Sequence, residues 1–217
     1  HASGHAIFAN AKAMEISNVT KQTQNPDGGK IIKDKYGFPT GIFLEDAEKL
    51  ITKKFNEDLN KKSKRELKDE IKKAIKLAND ECLKNGITTF HDAGESFESL
   101  NIIKNMVENN EIDFRLCVML GENYVALKDS LKKYFTIGYA NNHLTVRSIK
   151  LYMDGALGSR GAWLLEPYSD MPNQSGMNTT SLDEINSICK IAAENDFQIC
   201  THAIGDKANR EILNVYE

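Results

Sequence analysis

The chain has 217 residues, 41% of them hydrophobic and 27% charged, with a formal net charge of −3. Such a length and apolar fraction suit one large domain or two small ones with a real core, and no apolar run approaches the roughly 18 residues of a membrane-spanning helix. The near-neutral balance argues against a dedicated nucleic-acid or membrane-surface binder.

Four cysteines, Cys82, Cys117, Cys189 and Cys200, have neither CxxC spacing nor disulfide-scaffold density, so free thiols in a reducing, cytoplasmic compartment are expected. The chain opens on His1 rather than Met, and no signal-peptide pattern follows it. It closes on ANREILNVYE, a helical pattern without a cap. Both ends read as cut, so a piece of a longer protein is expected.

Residues 1–43 are rich in glycine and turn formers. Two extended runs, Lys30–Lys33 and Gly41–Phe43, flank the turn-forming segment from Tyr36 to Gly41, which predicts a hairpin. Leu44, Ala47, Leu50, Ile51 and Phe55 then recur at helical spacing. The capping box Ser63-Lys64-Arg65-Glu66 opens a second helix, with a stripe from Leu67 to Cys82, and Asn85-Gly86 closes it. Beyond it the pattern alternates. Strands are predicted at Ile87–His91, Phe114–Leu120, Val146–Met153 and Phe197–His202. Helices are predicted near Phe97–Asn109, over Tyr124–Phe135, from the Ser181–Glu184 capping box, and over Asp206–Tyr216. Four βα units indicate an α/β fold with a parallel sheet, either doubly wound or part of a (β/α)8 barrel, a complete barrel taking about 250 residues.

Strict alternation over Val146–Asp154 puts Arg147, Ile149, Leu151 and Met153 on one face and Val146, Ser148, Lys150, Tyr152 and Asp154 on the other. On a barrel strand the polar face points into the lumen, with Lys150 near the carboxyl end where barrel enzymes hold their chemistry. Carbamate or Schiff-base chemistry is one reading of Lys150, and a structural pairing with Asp154 or another carboxylate is the other. His202 closes its strand just before a turn and helix, well placed as a metal ligand or general base, or as a residue that simply bonds the turn. His91 and Asp92 end a strand as well and read first as structural residues. The loop DGALGSRGA (154–162) lacks the ending of a phosphate-binding loop, though Arg160 could hold a substrate carboxylate or amide oxygen. The Lys-rich stretch 53–76 is most simply a solvated helix face. No Ser-His-Asp order, nucleophile elbow or paired-carboxylate signature stands out.

Several blocks together, SGHAIFANAKAM, DKYGFPTGIFLEDA, GITTFHDAG, IKLYMDGALGSRGAWLLEPYSD and THAIGDKAN, resemble the third subfamily of the amidohydrolase superfamily, which includes predicted metal-dependent hydrolases and N-substituted formamide deformylases. The resemblance implies a (β/α)8 barrel, and hydrolysis of a C–N, amide-type bond in a small-molecule substrate by metal-activated water. The superfamily's metal site uses a His-x-His pair, a fourth-strand lysine or acid, and histidines on the fifth and sixth strands. By strand order Lys150 falls on the fourth and His202 on the fifth, and in two-metal members that lysine is carboxylated. Zn2+ or another divalent metal, one or two ions, is therefore implied for the parent protein, with His5, Asp154 and Arg160 as candidate substrate contacts. The 217 residues contain no His-x-His, and the proton-shuttling aspartate of the eighth strand is expected outside them.

Taken together, the expected architecture is a partial (β/α)8 barrel, strands two to five with their helices over residues 61–217, preceded by a small α+β insertion at residues 1–60 near the substrate mouth. Two ligands hold metal weakly, so the piece alone is expected to bind little or no metal and to lack turnover. Its exposed sheet edges favour pairing with a second copy. The alternative is a catalytically inactive binding or assembly module on the same partial scaffold.

Overall fold

The computed structural model of the protein describes residues 6–26, 29–59 and 61–217. Two compact units divide the chain, His1–Leu67 and Lys68–Glu217. No helix among the described residues is long and apolar enough to cross a membrane.

In the first unit, β1 (Ala6–Phe8), β2 (Gly29–Lys33) and β3 (Pro39–Glu45) form an antiparallel sheet in the order β1-β3-β2, with helix α1 (Ala11–Ile16) between the first two strands. The β2–β3 hairpin follows the sequence expectation. Its turn is set by Asp34, whose Oδ1 accepts the N–H groups of Tyr36 and Phe38 at 2.9 Å each, and by Gly37 at φ +87°. Phe43, fully buried, centres a small core with Val19, Ile31 and Ala47. The helix predicted from Leu44 starts later. Leu44 lies opposite both Ala6 and Lys30 in the sheet, so its backbone is committed to strand pairing. A 3-10 turn, Asp46–Glu48, then leads into α2 (Lys49–Leu59).

Helix α3 (Lys64–Lys84) begins with the predicted capping box closed in both directions. The Ser63 N–H donates to Glu66 Oε2 at 2.8 Å, and the Glu66 N–H donates to Ser63 Oγ at 3.2 Å. The helix ends at the predicted Asn85-Gly86, with Gly86 at φ +73° and the Ile87 N–H reaching back to the Cys82 carbonyl at 2.8 Å.

The second unit is a sheet with helices between its strands. Its chain order is β4 (Thr89–Glu95), α4 (Phe97–Glu108), β5 (Arg115–Leu120), α5 (Tyr124–Tyr134), β6 (Thr136–Gly138), the short turn α6 (Tyr139–Asn142), β7 (Leu144–Tyr152), α7 (Leu182–Glu194), β8 (Gln198–His202) and α8 (Asp206–Tyr216). The pairs β4–β5, β5–β7 and β7–β8 are all parallel, while β6 meets β7 antiparallel through Thr136 and Val146. The α/β expectation and its four βα units are thus observed, with β6 and α6 as elements that the sequence pattern did not announce.

A buried ladder runs through the sheet. Leu116, Val118 and Leu120 on β5 lie opposite Leu144, Val146 and Ile149 on β7, and all six are 5% exposed or less. This corrects the strict alternation expected for β7. The register steps from Val118↔Val146 to Met119↔Ser148, leaving Arg147 as an extra, exposed residue. Such a bulge inverts the facing of everything after it. Val146 therefore joins Ile149, Leu151 and Met153 on the buried side, and Arg147 leaves it. We expect Ile149→Ala to lower unfolding free energy by about 2–5 kcal/mol and Arg147→Ala by under about 0.5 kcal/mol, measured by urea denaturation. Equal costs at the two positions contradict the bulge.

Candidate functional site

Beyond the bulge, the face of the sheet opposite the α7–α8 side gathers polar groups. Parallel pairing sets Ser148 beside Gln198, Lys150 beside Cys200, and Tyr152 beside His202. The intervening residues turn the other way, where the Thr201 hydroxyl lies 2.7 Å from the Tyr216 hydroxyl of α8. Lys150 and His202 consequently share one face at the carboxyl ends of neighbouring strands. Tyr152 lies next to both. Lys150 Nζ is 4.5 Å from the centre of its ring, and the ring of His202 is 5.6 Å away, tilted by 38°. The sequence pattern had put Tyr152 on the same face as Lys150 but gave it no role.

Two glycines let this end of the sheet close up. A Cβ on Gly121 would lie 2.7 Å from the Gly94 backbone, and Gly94 itself, at φ +126°, borders Lys150 and Tyr152. Any larger residue at Gly121 pushes the ends of β4 and β5 apart, while at Gly94 the positive φ strains any residue that carries a Cβ. Beside them lies a cleft of about 340 Å³ lined by Gly94, Gly121, Lys150, Tyr152, Thr179 and Glu184.

Asp154 follows β7 and is 1% exposed. Its Oδ2 accepts the N–H groups of Trp163 and Gly205, each at 2.8 Å, and its Oδ1 accepts that of Ile204 at 2.9 Å. Oδ1 also lies 3.8 Å from His202 Nε2, which is 3.5 Å from the Gly155 carbonyl oxygen. A second carboxylate repeats the device. Asp206, at the start of α8, accepts the Leu165 N–H at 2.8 Å, and the Ala208 N–H donates to the Trp163 carbonyl at 3.2 Å. Gly205 is required here because a Cβ would lie 1.8 Å from the Trp163 carbonyl oxygen. The loop after β7 is therefore fastened to the end of β8 by backbone groups that two aspartates collect.

Of the sequence candidates, Lys150 and His202 are brought to one face. Asp154, read from the sequence as a substrate contact, lies beneath that face with its carboxylate bonds taken up within the chain. Arg160, at φ +62°, pairs with Asp170 through Nη2–Oδ2 at 2.7 Å and Nε–Oδ1 at 3.3 Å. His5 lies outside the described residues. On β4, His91 shares the facing of Cys117, whereas Asp92 shares that of the buried Val118.

A divalent metal of the kind the resemblance implies finds a partial fit. Imidazole and a modified lysine are suitable donors, and the two side chains face the same way. No group of three or more His, Cys, Asp or Glu side chains that could hold a metal ion occurs among the described residues, and a catalytic zinc commonly takes three protein ligands.

The chain is similar to several known proteins. The family described as "Amidohydrolase family" matches residues 1–217. YtcJ of Bacillus subtilis is 28% identical over 98% of this chain and 39% of its own length. The N-substituted formamide deformylase of Arthrobacter pascens is 24% identical over 100% of the chain and 40% of its own length. An uncharacterized metal-dependent hydrolase from Pyrococcus horikoshii superposes with a TM-score of 0.68 at 26% identity, covering 98% of this chain and 40% of that one. The chain thus spans about two fifths of the length of these relatives.

One titrating group at this end of the sheet gives a test of the electrostatics. Burial first, then the charge of Glu95 and a hydrogen bond with it, push the Asp92 carboxyl from its ordinary 3.8 up to about 6. The folded protein therefore holds the proton more tightly than the unfolded chain. Asp92 favours folding fully below about pH 4, and that contribution is lost as pH rises through about 6. Asp92→Asn is expected to raise the urea midpoint at neutral pH and leave it unchanged near pH 4. A midpoint lowered at neutral pH contradicts the assignment.

Proposed function

The chain belongs to the amidohydrolase family, and from that premise we propose that it forms part of a metal-dependent hydrolase acting on a C–N, amide-type bond of a small molecule. Its four parallel strands are read as units two to five of a (β/α)8 barrel, in keeping with their side-by-side order β4-β5-β7-β8 and the 0.68 superposition on a metal-dependent hydrolase. The amide-type chemistry is supported by the name of the deformylase relative. Four free cysteines support a reducing, cytoplasmic setting.

The observation that carries the reading is the shared facing of Lys150 and His202 at the carboxyl ends of adjacent parallel strands, the end of such sheets where barrel enzymes concentrate their chemistry. We assign both as ligands of zinc or another divalent metal. Such an ion supplies Lewis-acid polarisation of a carbonyl and a nucleophile from water at neutral pH.

The chain's own contribution is positional. Lys150 contributes an amine on a rigid strand. Addition of CO2 to its unprotonated nitrogen forms an N–C bond, releases one proton to water, and leaves a carbamate with two oxygen donors. His202 contributes an imidazole held by the strand end and the loop beneath it. Tyr152 packs beside both and limits where each can swing. Arg160, kept at the loop surface by Asp170, is proposed as a contact for a substrate carboxylate or amide oxygen. The proton-transferring aspartate is proposed to lie outside these 217 residues, as are the remaining ligands.

Metal content and amide hydrolysis of the intact protein test this reading. Lys150→Ala and His202→Ala should each reduce bound metal and lower hydrolysis at least about 100-fold, while the melting transition persists. Full metal content and activity in both variants overturns it.

A further inference from the structure

The ring nitrogens of a histidine ligand are not equivalent, because the partner of one decides which nitrogen keeps a lone pair for metal. His202 Nε2 faces two groups, the Gly155 carbonyl oxygen at 3.5 Å and Asp154 Oδ1 at 3.8 Å. Both are acceptors only. A neutral imidazole satisfies them with its proton on Nε2, which leaves Nδ1 unprotonated. At 3.5 and 3.8 Å these are electrostatic contacts rather than short hydrogen bonds, and both favour a proton on the nitrogen that faces them.

We propose that Asp154 is a positioning residue for His202: its Oδ1, with the Gly155 carbonyl, keeps the imidazole proton on Nε2 and leaves Nδ1 as the ligating nitrogen. The use of Nδ1 rests on the metal centre proposed above, whereas the tautomer rests on the geometry alone. Asp154 can do this because it cannot turn. Two N–H groups hold Oδ2, the Ile204 N–H holds Oδ1, and 1% exposure leaves no water to compete. The same three bonds anchor the loop to β8, so the position of His202 and the closure of the loop depend on one side chain. Met153 supports the arrangement from the backbone, donating its N–H to the His202 carbonyl at 2.8 Å.

An amide in place of the carboxylate makes the proposal testable. In Asp154→Asn the side-chain oxygen is best used at the Oδ2 position, where two N–H groups converge. The NH2 group then faces His202 Nε2, which can meet it only with a lone pair. The tautomer should switch.

The experiment is 15N NMR of the 217-residue chain labelled at histidine, at about pH 8 so that an ordinary imidazole is neutral, with His202 assigned by its loss in His202→Gln. The expected wild-type result is a pyrrole-type Nε2 and a pyridine-type Nδ1, exchanged in Asp154→Asn. A wild-type His202 protonated on Nδ1 overturns the proposal even if the variant does not fold. A folded Asp154→Asn that keeps the wild-type tautomer overturns it as well, since Asp154 is then not the determinant. In the intact protein, zinc affinity should fall about 10–100-fold in Asp154→Asn. Zinc affinity unchanged in His202→Ala instead removes the metal assignment while the tautomer result stands, so the two failures are distinguishable.

Discussion

Asp154 takes a carboxylate out of water and surrounds it with N–H groups from Trp163, Ile204 and Gly205, two of which lie 50 and 51 residues further along the chain. Hydrogen bonds to a charged acceptor contribute about 1.5–3 kcal/mol each, and a buried N–H left without one costs about 1–3 kcal/mol. Three such bonds rival the 5–15 kcal/mol net stability typical of a whole domain. The loop after β7 and the turn after β8 are therefore one structural unit, although α7 and β8 lie between them in the sequence. Every group proposed to take part in chemistry on this chain sits on that unit or on the strand feeding into it.

The bulge at Arg147 matters for the same reason. It lets β7 bury Leu144 and Val146 at its start and Ile149, Leu151 and Met153 at its end, without a break in the ladder. Without the extra residue the second half of the strand would present the opposite face, with Lys150 under the helices and Ile149 at the site. A single inserted residue thus reconciles an apolar face along the whole strand with a polar cluster at its end. Gly94, the extra residue at the corresponding step of β4, acts alongside Gly121 to let the neighbouring strand ends approach.

What was legible in the sequence was local. The Ser63 capping box, the Asn85-Gly86 stop and the Ser181 cap of α7 bond residues three to five apart, and the structure forms all of them. The polar grouping of Ser148, Lys150 and Tyr152 was also readable, because it falls entirely after the bulge. The facing of Arg147 was not, since a bulge depends on the partner strand and leaves no periodic trace. The helix expected from Leu44 failed similarly, because β1 and β2 on either side commit that residue to the sheet. Asp154 reads from the sequence as a substrate contact on the polar face, and its partners Ile204 and Gly205 are distant in sequence, so its burial and its backbone bonds could not be read from spacing. The HAIGD and DGALGSRGA blocks lie far apart in the sequence. In the structure they meet, and Asp154 is where they meet.

Anomalous diffraction at the metal edge on crystals of the intact, metal-loaded protein tests the central claim most directly. With Asp154 facing Nε2 and Lys150 on the same face, a bound ion is expected to be held through His202 Nδ1, with Lys150 supplying a further donor. An ion bound through His202 Nε2 with Asp154 swung away, or one with neither residue in its coordination shell, contradicts it.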